Sequence, residues 1–232
     1  MNPLDYVYRS VGCHVQLMEP DSDESQHLLQ CLHNTGPSLH IDCIYRINRP
    51  GEATSIVDTG LGNYRMLWHG TNILNLMSIL RCGLQPTEAP TAGNVPPFGK
   101  GIYMSDMAAR AAQDCKKWGN EKKYMLLSQV ALGHVKEIRE GSATDNEVAN
   151  SVMVAGKYIP KPGKELILPE GGAISLGEKT KNPNLSGVTS SHNEYVVYSA
   201  DQVCLRYLIR FDVADDVTAA NTSSSSSSSK AK

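Results

Sequence analysis

Alternating apolar and polar positions along much of the chain predict β-strands. Segments with this alternation, or with a short run of apolar and β-branched residues, are 6–18, 41–48, 65–69, 101–104, 123–132, 134–139, 194–199 and 203–212. Residues 123–132 have no charged side chain after the first position, which is typical of a buried strand. The pattern therefore predicts a fold dominated by strands, with a Gly- and Pro-containing stretch that extends to about residue 190.

Three segments instead have features of helices. Residues 21–33 begin with an acidic run that suits the positive N-terminal end of a helix. Residues 73–81 have apolar side chains at helical spacing, and Gly83 is a suitable C-cap. The Ala-rich segment 106–118 predicts a third helix. Residues 84–100 contain four prolines and are predicted to form a loop long enough to act as a functional lid.

Composition adds a prediction of one domain followed by a tail. The chain has 232 residues and is 41% hydrophobic, which is sufficient for one sizeable core. We assign that core to a single domain at residues 1–213, and we expect the Ser-rich segment 214–232 to be disordered. The net charge is −2 and the basic residues are scattered, so we expect no direct binding of nucleic acid by this domain.

The sequence also predicts an intracellular protein without a metal site. No apolar stretch approaches membrane-spanning length, and the first residues lack the features of a secretory signal. Six cysteines show no tight pairing pattern, in agreement with a reducing compartment. Cys31, His33, His40 and Cys43 are ligand types that zinc accepts. Because Cys31 and Cys43 fall on a predicted helix and a predicted strand, we expect no metal there.

The candidate chemistry lies in three short segments around His69, Tyr103 and Glu194. Cleavage of a glycosidic bond needs no general acid when the leaving group is already cationic, as the nicotinamide of NAD is. A carboxylate such as Glu194 complements the oxocarbenium-like ribose that develops. The ring of Tyr103 can stack on nicotinamide, and His69 can hydrogen-bond a ribose hydroxyl. Gly70 lacks a Cβ and would allow close approach of the backbone to the carboxamide. Each residue alone is more typical of a turn, a loop or an edge strand.

Four stretches together match, in order, the catalytic region of the poly(ADP-ribose) polymerase family. They are residues 67–72, 98–106, 130–133 and 193–198. The chain resembles this family from about residue 8 to residue 212. The resemblance implies an α+β ADP-ribosyltransferase fold, with two packed, mainly antiparallel sheets flanked by short helices. It also implies NAD as the co-substrate in the cleft between the sheets, and no metal. No Gly-x-Gly-x-x-Gly or Walker pattern occurs, which argues against binding of the cofactor in the Rossmann manner.

The resemblance implies roles for individual residues. His69 would hold the adenosine ribose, Tyr103 would stack on nicotinamide, and Glu194 would position the nicotinamide ribose and activate the acceptor. These three are the predicted catalytic residues. Gly70 would contact the carboxamide through its backbone. The predicted residues of the NAD site are thus His69, Gly70, Thr71, Asn75 and Tyr103.

Three positions depart from the family's pattern. Ala111 stands where a serine usually bonds the carboxamide, and Asp114 stands where a second tyrosine usually stacks. Gln85 replaces an arginine that commonly follows Gly-Leu. A lost hydroxyl contact and a lost stacking partner each cost on the order of 1 kcal/mol, which predicts weaker binding of NAD.

The leading prediction is an enzyme that transfers ADP-ribose from NAD to protein acceptors, with the chain itself as one candidate acceptor, and releases nicotinamide. The retained Glu194 favours extension to poly(ADP-ribose). Mono-ADP-ribosylation is one alternative, and a catalytically weak module that binds NAD or ADP-ribose is another, suggested by Ala111 and Asp114. Ser229-Lys230 resembles sites that this family modifies, so the tail is either a solvated segment or a self-modification acceptor. Family resemblance slightly favours the nucleus over the cytoplasm, and it implies no membrane and no oligomer.

Overall fold

The computed structural model describes residues 2–87, 98–119, 122–139, 149–168 and 171–213. The helices in these ranges are α1 (Pro3–Val11), α2 (Asp23–Thr35), α3 (Glu52–Asp58), α4 (Ile73–Cys82) and α5 (Ala108–Asp114), with a short 3-10 helix at Ala200–Gln202. The strands are β1 (His14–Leu17), β2 (Leu39–Asn48), β3 (Tyr64–Gly70), β4 (Ile102–Met104), β5 (Lys123–Ala131), β6 (Val135–Ile138), β7 (Ser151–Val154), β8 (Gly156–Pro160), β9 (Glu165–Ile167), β10 (Ala173–Ser175), β11 (Lys179–Lys181), β12 (Ser190–His192), β13 (Glu194–Val197) and β14 (Val203–Val213). This is the predicted α+β class.

The largest sheet has seven strands in the order β1-β2-β14-β5-β3-β10-β9. Neighbouring strands are antiparallel, except for the parallel pair of β3 and β10. The central strands β14 and β5 are buried along most of their length, in agreement with their nearly continuous apolar sequences. Strand β3 lies beside β5 and ends at Gly70, so His69 is placed at the end of the strand.

Two smaller sheets complete the fold. The first has four strands in the order β4-β13-β7-β6, and the second has three in the order β11-β8-β12. In the four-stranded sheet, Tyr103 of β4 pairs with Val196 of the antiparallel strand β13. Glu194 is the first residue of β13 and therefore lies on the strand next to that of Tyr103.

Apolar clusters cover both faces of the main sheet. One cluster joins the main sheet to the four-stranded sheet and includes Leu67, Leu126, Leu208, Ile102 and Tyr195. The other joins the main sheet to α2 and α5 and includes Trp68, Phe211, Leu28, Leu32 and Ala111. Leu67 and Trp68 fall in different clusters because consecutive side chains of a strand point to opposite faces. The two predicted sheets therefore pack against each other through the first cluster.

The prediction of a strand at residues 6–18 was wrong over its first half. Residues Pro3–Val11 form α1, and only His14–Leu17 form a strand. Pro3 occupies the first position of the helix, where the missing N–H loses no hydrogen bond. Val11 at the end of the helix is buried against the first cluster. Among the described side chains of α1, Val11 is buried and the others are exposed.

The Ala-rich helix is shorter than predicted. Helix α5 ends at Asp114, whereas the sequence predicted continuation to residue 118. The backbone of Lys116 pairs instead with the segment after β3: its N–H donates to the Thr71 carbonyl at 3.3 Å, and its carbonyl accepts from the N–H of Ile73 at 3.0 Å. These long-range hydrogen bonds replace the ones that another helical turn would have made.

Other short elements gave too weak a pattern to be recognised. Helix α3 has only one fully buried apolar side chain among its seven residues, Ile56. The Gly- and Pro-containing stretch contains the strands β7 to β12, and each of them is only three to five residues long. The predicted elements at 41–48, 65–69, 73–81, 123–132 and 203–212 are confirmed to within a few residues, and Gly83 is the C-cap of α4. Most of the predicted lid and the whole Ser-rich tail lie outside the described residues.

Candidate active site

The site lies where the end of β3, in the main sheet, meets the four-stranded sheet. The Trp68 N–H donates to the Ser105 carbonyl at 2.7 Å, and the Ser105 N–H donates to the Trp68 carbonyl at 2.9 Å. This two-bond bridge joins β3 to the residue that follows β4. Because His69 follows Trp68 and Tyr103 lies two residues before Ser105, the bridge brings their segments together. The pairing of β4 with β13 then adds Glu194.

His69 has a defined tautomer in this arrangement. Its Nδ1 lies 2.9 Å from the carbonyl oxygen of Tyr103. Because a carbonyl only accepts, Nδ1 donates the proton, and Nε2 has a lone pair in the neutral ring. Burial lowers the pKa of His69, against the opposing effects of the Tyr103 carbonyl and of Asp114. The neutral imidazole therefore offers an acceptor for a hydroxyl group.

Tyr103 is fixed at its hydroxyl end. The phenol donates to the carbonyl of Gly99 at 2.7 Å, and the ring is half-buried. A Cβ on the nearby Gly101 would lie 2.5 Å from Cγ1 of Val196, so the second glycine of the Gly-Lys-Gly sequence is required by the close pairing of β4 with β13.

Gly70 is required by the packing of α5. A Cβ at this position would lie 1.9 Å from the carbonyl oxygen of Ala111 and 3.0 Å from Cβ of Asp114. Both atoms belong to α5, so the absence of a side chain at Gly70 lets this helix lie against the end of β3. Contact of the Gly70 backbone with a carboxamide remains a prediction.

Glu194 is held by an arginine that sequence reasoning missed. Nε of Arg110 donates to Oε1 of Glu194 at 2.7 Å, and Nη1 of Arg110 donates to Oδ2 of Asp114 at 2.8 Å. Burial acts to lower the pKa of Arg110, but the two carboxylates outweigh it, and the net shift is upward. Arg110 therefore stays charged. Arg110 and Asp114 are four residues apart on one helix, a spacing from which their ion pair could have been predicted. No local pattern could have predicted the bond from Arg110 to Glu194.

A cleft of about 480 Å³ adjoins these residues. This volume lies within the range of small-molecule sites. All five residues predicted to bind NAD line the cleft: His69, Gly70, Thr71, Asn75 and Tyr103. Glu194 lines a neighbouring space of about 20 Å³, which shares Gly70, Tyr103 and Asp114 with the cleft, and it also lines a separate space of about 520 Å³. The structure thus brings together every residue that the sequence assigned to the site.

The three departures from the family's pattern also adjoin the site. Ala111 is buried and lines the small space together with Glu194, and Asp114 lines both cavities. Gln85 lines the larger cleft and donates from Nε2 to the carbonyl of Cys82 at 2.9 Å. The side chain of Asp114, which stands in place of a stacking aromatic ring, is engaged by Arg110.

A buried network positions both neighbours of Glu194. Oδ2 of Asp106 accepts from Nδ2 of Asn193 at 2.8 Å and from the hydroxyl of Tyr195 at 3.3 Å. The hydroxyl of Ser105 donates to the Asn193 carbonyl at 2.7 Å. Burial raises the pKa of Asp106 to about 6, although the hydrogen bonds from Asn193 and Tyr195 oppose the shift. The segment after Tyr103 therefore orients the start of β13.

Replacement of Asp106 by asparagine is expected to raise the free energy of unfolding at pH 7.5 by about 2 kcal/mol. Between about pH 4 and about pH 6 the folded protein retains a proton that the unfolded chain has lost, so stability falls as pH rises through this window. Asparagine keeps an oxygen that can accept from Asn193 and Tyr195, without a charge to bury. Urea unfolding at several pH values measures the effect.

The matched control for this variant is Asp58→Asn, which changes an exposed carboxylate at the end of α3. We expect Asp58→Asn to keep the decline in stability between about pH 4 and about pH 6, and Asp106→Asn to reduce it, because the partly buried Glu52 also has a raised pKa. A lower stability of Asp106→Asn than of the wild type at pH 7.5 would contradict the prediction.

Two further observations concern a metal site and a membrane-spanning helix. Within the described ranges, no three His, Cys, Asp or Glu side chains are placed to hold a metal ion. Burial raises the pKa of the Cys31 thiol to about 12, which disfavours the thiolate that zinc would need. None of the helices in the part of the chain that the structure describes has the length and apolar character to span a membrane.

Comparisons with known proteins agree with this site. The family model of the poly(ADP-ribose) polymerase catalytic domain matches residues 22–213. The chain is 34% identical over 224 residues to a poly(ADP-ribose) polymerase of Drosophila melanogaster, an alignment that covers 91% of this chain and 22% of that protein. It is 33% identical over 221 residues to poly(ADP-ribose) polymerase 1 of Danio rerio, with 90% and 21% covered. For poly(ADP-ribose) polymerase 2 of Homo sapiens the identity is 32% over 227 residues, with 90% and 38% covered.

The chain thus spans 21–38% of the length of these relatives, and the match lies in their catalytic part. His69, Tyr103 and Glu194 fall inside the matched range, in the order that the resemblance requires. The family model matches most of the chain, and the identities to the relatives exceed 30%. Together these findings show the family of the chain. The chain belongs to the poly(ADP-ribose) polymerase catalytic-domain family, whose members are NAD-dependent ADP-ribosyltransferases.

Proposed function

We propose that this chain transfers ADP-ribose from NAD to protein acceptors and extends the product to poly(ADP-ribose). The observation that supports this most is the convergence of His69, Tyr103 and Glu194 at the junction of two sheets, beside a cleft of about 480 Å³. These three side chains come from three different strands. Such an arrangement supplies an acceptor for ribose, an aromatic ring and a carboxylate within one site.

NAD binding would use the groups that line the cleft. Nε2 of His69 accepts a hydrogen bond from a hydroxyl of the adenosine ribose, because Nδ1 is already bonded to the Tyr103 carbonyl. The ring of Tyr103 stacks on nicotinamide, an interaction that the positive charge of the bound ring strengthens. Thr71 and Asn75 add polar groups along the same wall.

The chemistry would centre on Glu194. The bond between ribose C1 and the nicotinamide nitrogen breaks, and its electron pair neutralises the nicotinamide ring. Positive charge develops on the ribose, where a nearby carboxylate stabilises it. An acceptor hydroxyl then attacks C1 and gives its proton to the Glu194 carboxylate. Arg110 binds Oε1 of Glu194 and leaves Oε2 without a hydrogen bond to any described residue, so this oxygen is available to ribose or acceptor.

A module that binds NAD or ADP-ribose without efficient transfer is the second candidate. Its support is the small space beside Glu194, about 20 Å³, together with the engagement of Asp114 and Glu194 by the same arginine. Mono-ADP-ribosylation is the third candidate, if the acceptor side does not admit a growing chain.

Incubation of the purified protein with labelled NAD is expected to give ladders of modified protein. The ladder follows from repeated transfer to ribose hydroxyls that Glu194 activates. A single shifted band would indicate mono-transfer, and binding of NAD without labelling would indicate a binding module. The absence of both labelling and binding would contradict the proposed function.

Further parts of the proposal concern organisation and partners. We assign the catalytic domain to residues 1–213 and regard 214–232 as a separate tail. Protein acceptors include the chain itself, and we expect no direct contact of this domain with nucleic acid, membrane or a second copy. We expect a location inside the cell, in the nucleus or the cytoplasm, with the nucleus slightly favoured by family resemblance.

A further inference from the structure

Lys116 has a charge that the cleft does not neutralise. Among the described side chains that line the cleft, the formally charged groups are Lys116 and Asp114. Asp114 is paired with Arg110 at 2.8 Å, whereas Lys116 makes no ion pair with any described residue. His69 in the same wall is kept neutral by burial. Lys116 is therefore an exposed cation of the cleft that forms no ion pair with a described residue, whereas Asp114 and Glu194 share the single cation Arg110.

The backbone of Lys116 is fixed beside the residues that contact NAD. Its N–H donates to the Thr71 carbonyl, and its carbonyl accepts from Ile73, so residue 116 is paired with the segment between β3 and α4. Ile73 is the first residue of α4, and Asn72 is its N-cap. The positive end of the helix dipole therefore lies next to Lys116, and both favour an anion on this side of the cleft.

The part of the cleft near the C-terminal end of α4 offers no such charge. Gln85, which also lines the cleft, contributes a neutral amide that is bonded to the Cys82 carbonyl. NAD has one negatively charged group, the pyrophosphate, which lies between the adenosine ribose and the nicotinamide ribose. Since His69 and Tyr103 are assigned to those two ends, the anion falls in the part of the cleft between them.

We propose that Lys116 binds the pyrophosphate of NAD and thereby selects dinucleotides over ligands that lack phosphate. This inference rests on the proposed function, because it assumes that NAD occupies the cleft. The contact has the same strength in the ground state and in the transition state. Its loss therefore weakens the binding of NAD and leaves the rate of transfer in the bound complex unchanged. Ligands without phosphate, such as nicotinamide and adenosine, gain nothing from Lys116.

The test compares Lys116→Gln with the wild type by steady-state kinetics and by calorimetry with ADP-ribose. We expect the KM for NAD and the Kd for ADP-ribose to rise about tenfold, the effect of one charged hydrogen bond. The kcat and the inhibition constant of nicotinamide are expected to stay within about twofold. Added salt should raise the KM of the wild type more than that of the variant, because salt screens the contact.

Two further variants sharpen the test. Lys181→Gln removes the same charge from an exposed lysine of β11, outside the cleft, and is expected to leave all constants unchanged. Gln85→Arg in the Lys116→Gln background places a cation near the other end of α4, still in the cleft, and is expected to recover part of the lost affinity for ADP-ribose. Such recovery supports an electrostatic role, which a purely structural role of Lys116 would not give.

Unchanged affinity for ADP-ribose in Lys116→Gln would overturn the inference. An equal loss of nicotinamide and adenosine binding would also overturn it, because a distorted cleft loses every ligand. If the wild type binds ADP-ribose but transfers nothing, the proposed transferase function fails. The ADP-ribose affinities of the variants would then still decide the role of Lys116.

Discussion

Replacement of Glu194 by glutamine is expected to lower the rate of ADP-ribose transfer at least about 100-fold and to abolish elongation, while the affinity for NAD stays within a few-fold. Glutamine has nearly the same shape, and its oxygen can still accept from Nε of Arg110, which now donates to Oε1 at 2.7 Å. What is lost is the negative charge that stabilises the ribose and takes the acceptor's proton. Labelled NAD with gel analysis measures transfer, and calorimetry measures binding.

The matched control is Glu178→Gln, which changes an exposed carboxylate between β10 and β11. We expect it to form polymer like the wild type. Wild-type polymer length in Glu194→Gln would exclude the proposed role of this carboxylate. A loss of NAD binding as large as the loss of rate would instead show that Glu194 acts mainly on the ground state.

Replacement of Gly70 by alanine is expected to lower the free energy of unfolding by about 3 kcal/mol and to reduce NAD affinity at least about tenfold. The added Cβ would lie 1.9 Å from the Ala111 carbonyl oxygen and 2.9 Å from its carbonyl carbon. These are backbone atoms of a packed helix, so the whole of α5 has to shift, and such overpacking is costly. Urea unfolding and calorimetry with NAD measure the two effects.

Gly12→Ala separates backbone strain from collision. Gly12 has φ of +66°, and no atom lies within 4 Å of the position of an added Cβ. We expect a cost of about 1 kcal/mol from the left-handed conformation and no change in NAD affinity. A Gly70→Ala variant with the stability and affinity of the wild type would contradict the observed approach of α5 to β3.

Gly70→Ala and Glu194→Gln together also test how the site is assembled. A shift of α5 would move Arg110 and Asp114 together, because both belong to this helix and are bonded at 2.8 Å. It would then disturb the bond from Arg110 to Glu194. Gly70→Ala is therefore expected to change the position of the Glu194 carboxylate through α5. Glu194→Gln removes the charge of this side chain and leaves α5 in place.

The amino-acid sequence by itself determined the three strands that bear the chemistry. His69, Tyr103 and Glu194 each lie in a short local motif with glycines or apolar neighbours, and local patterns are what a single sequence records. The long strands β2, β5 and β14 and the helices α2 and α4 were predicted for the same reason. Their apolar spacing, charged first turns or C-cap glycine lie within one segment.

Only the tertiary structure decided which distant groups meet. Arg110 bonds Glu194 across 84 residues, and Asp106 contacts Asn193 and Tyr195 across 87 and 89 residues. These contacts depend on the register of β4 against β13 and on the packing of α5 against β3. The end of α5 and the placement of Lys116 depend likewise on hydrogen bonds to Thr71 and Ile73. Such pairings leave no mark in local composition, because their free energy comes from elements that the fold brings together.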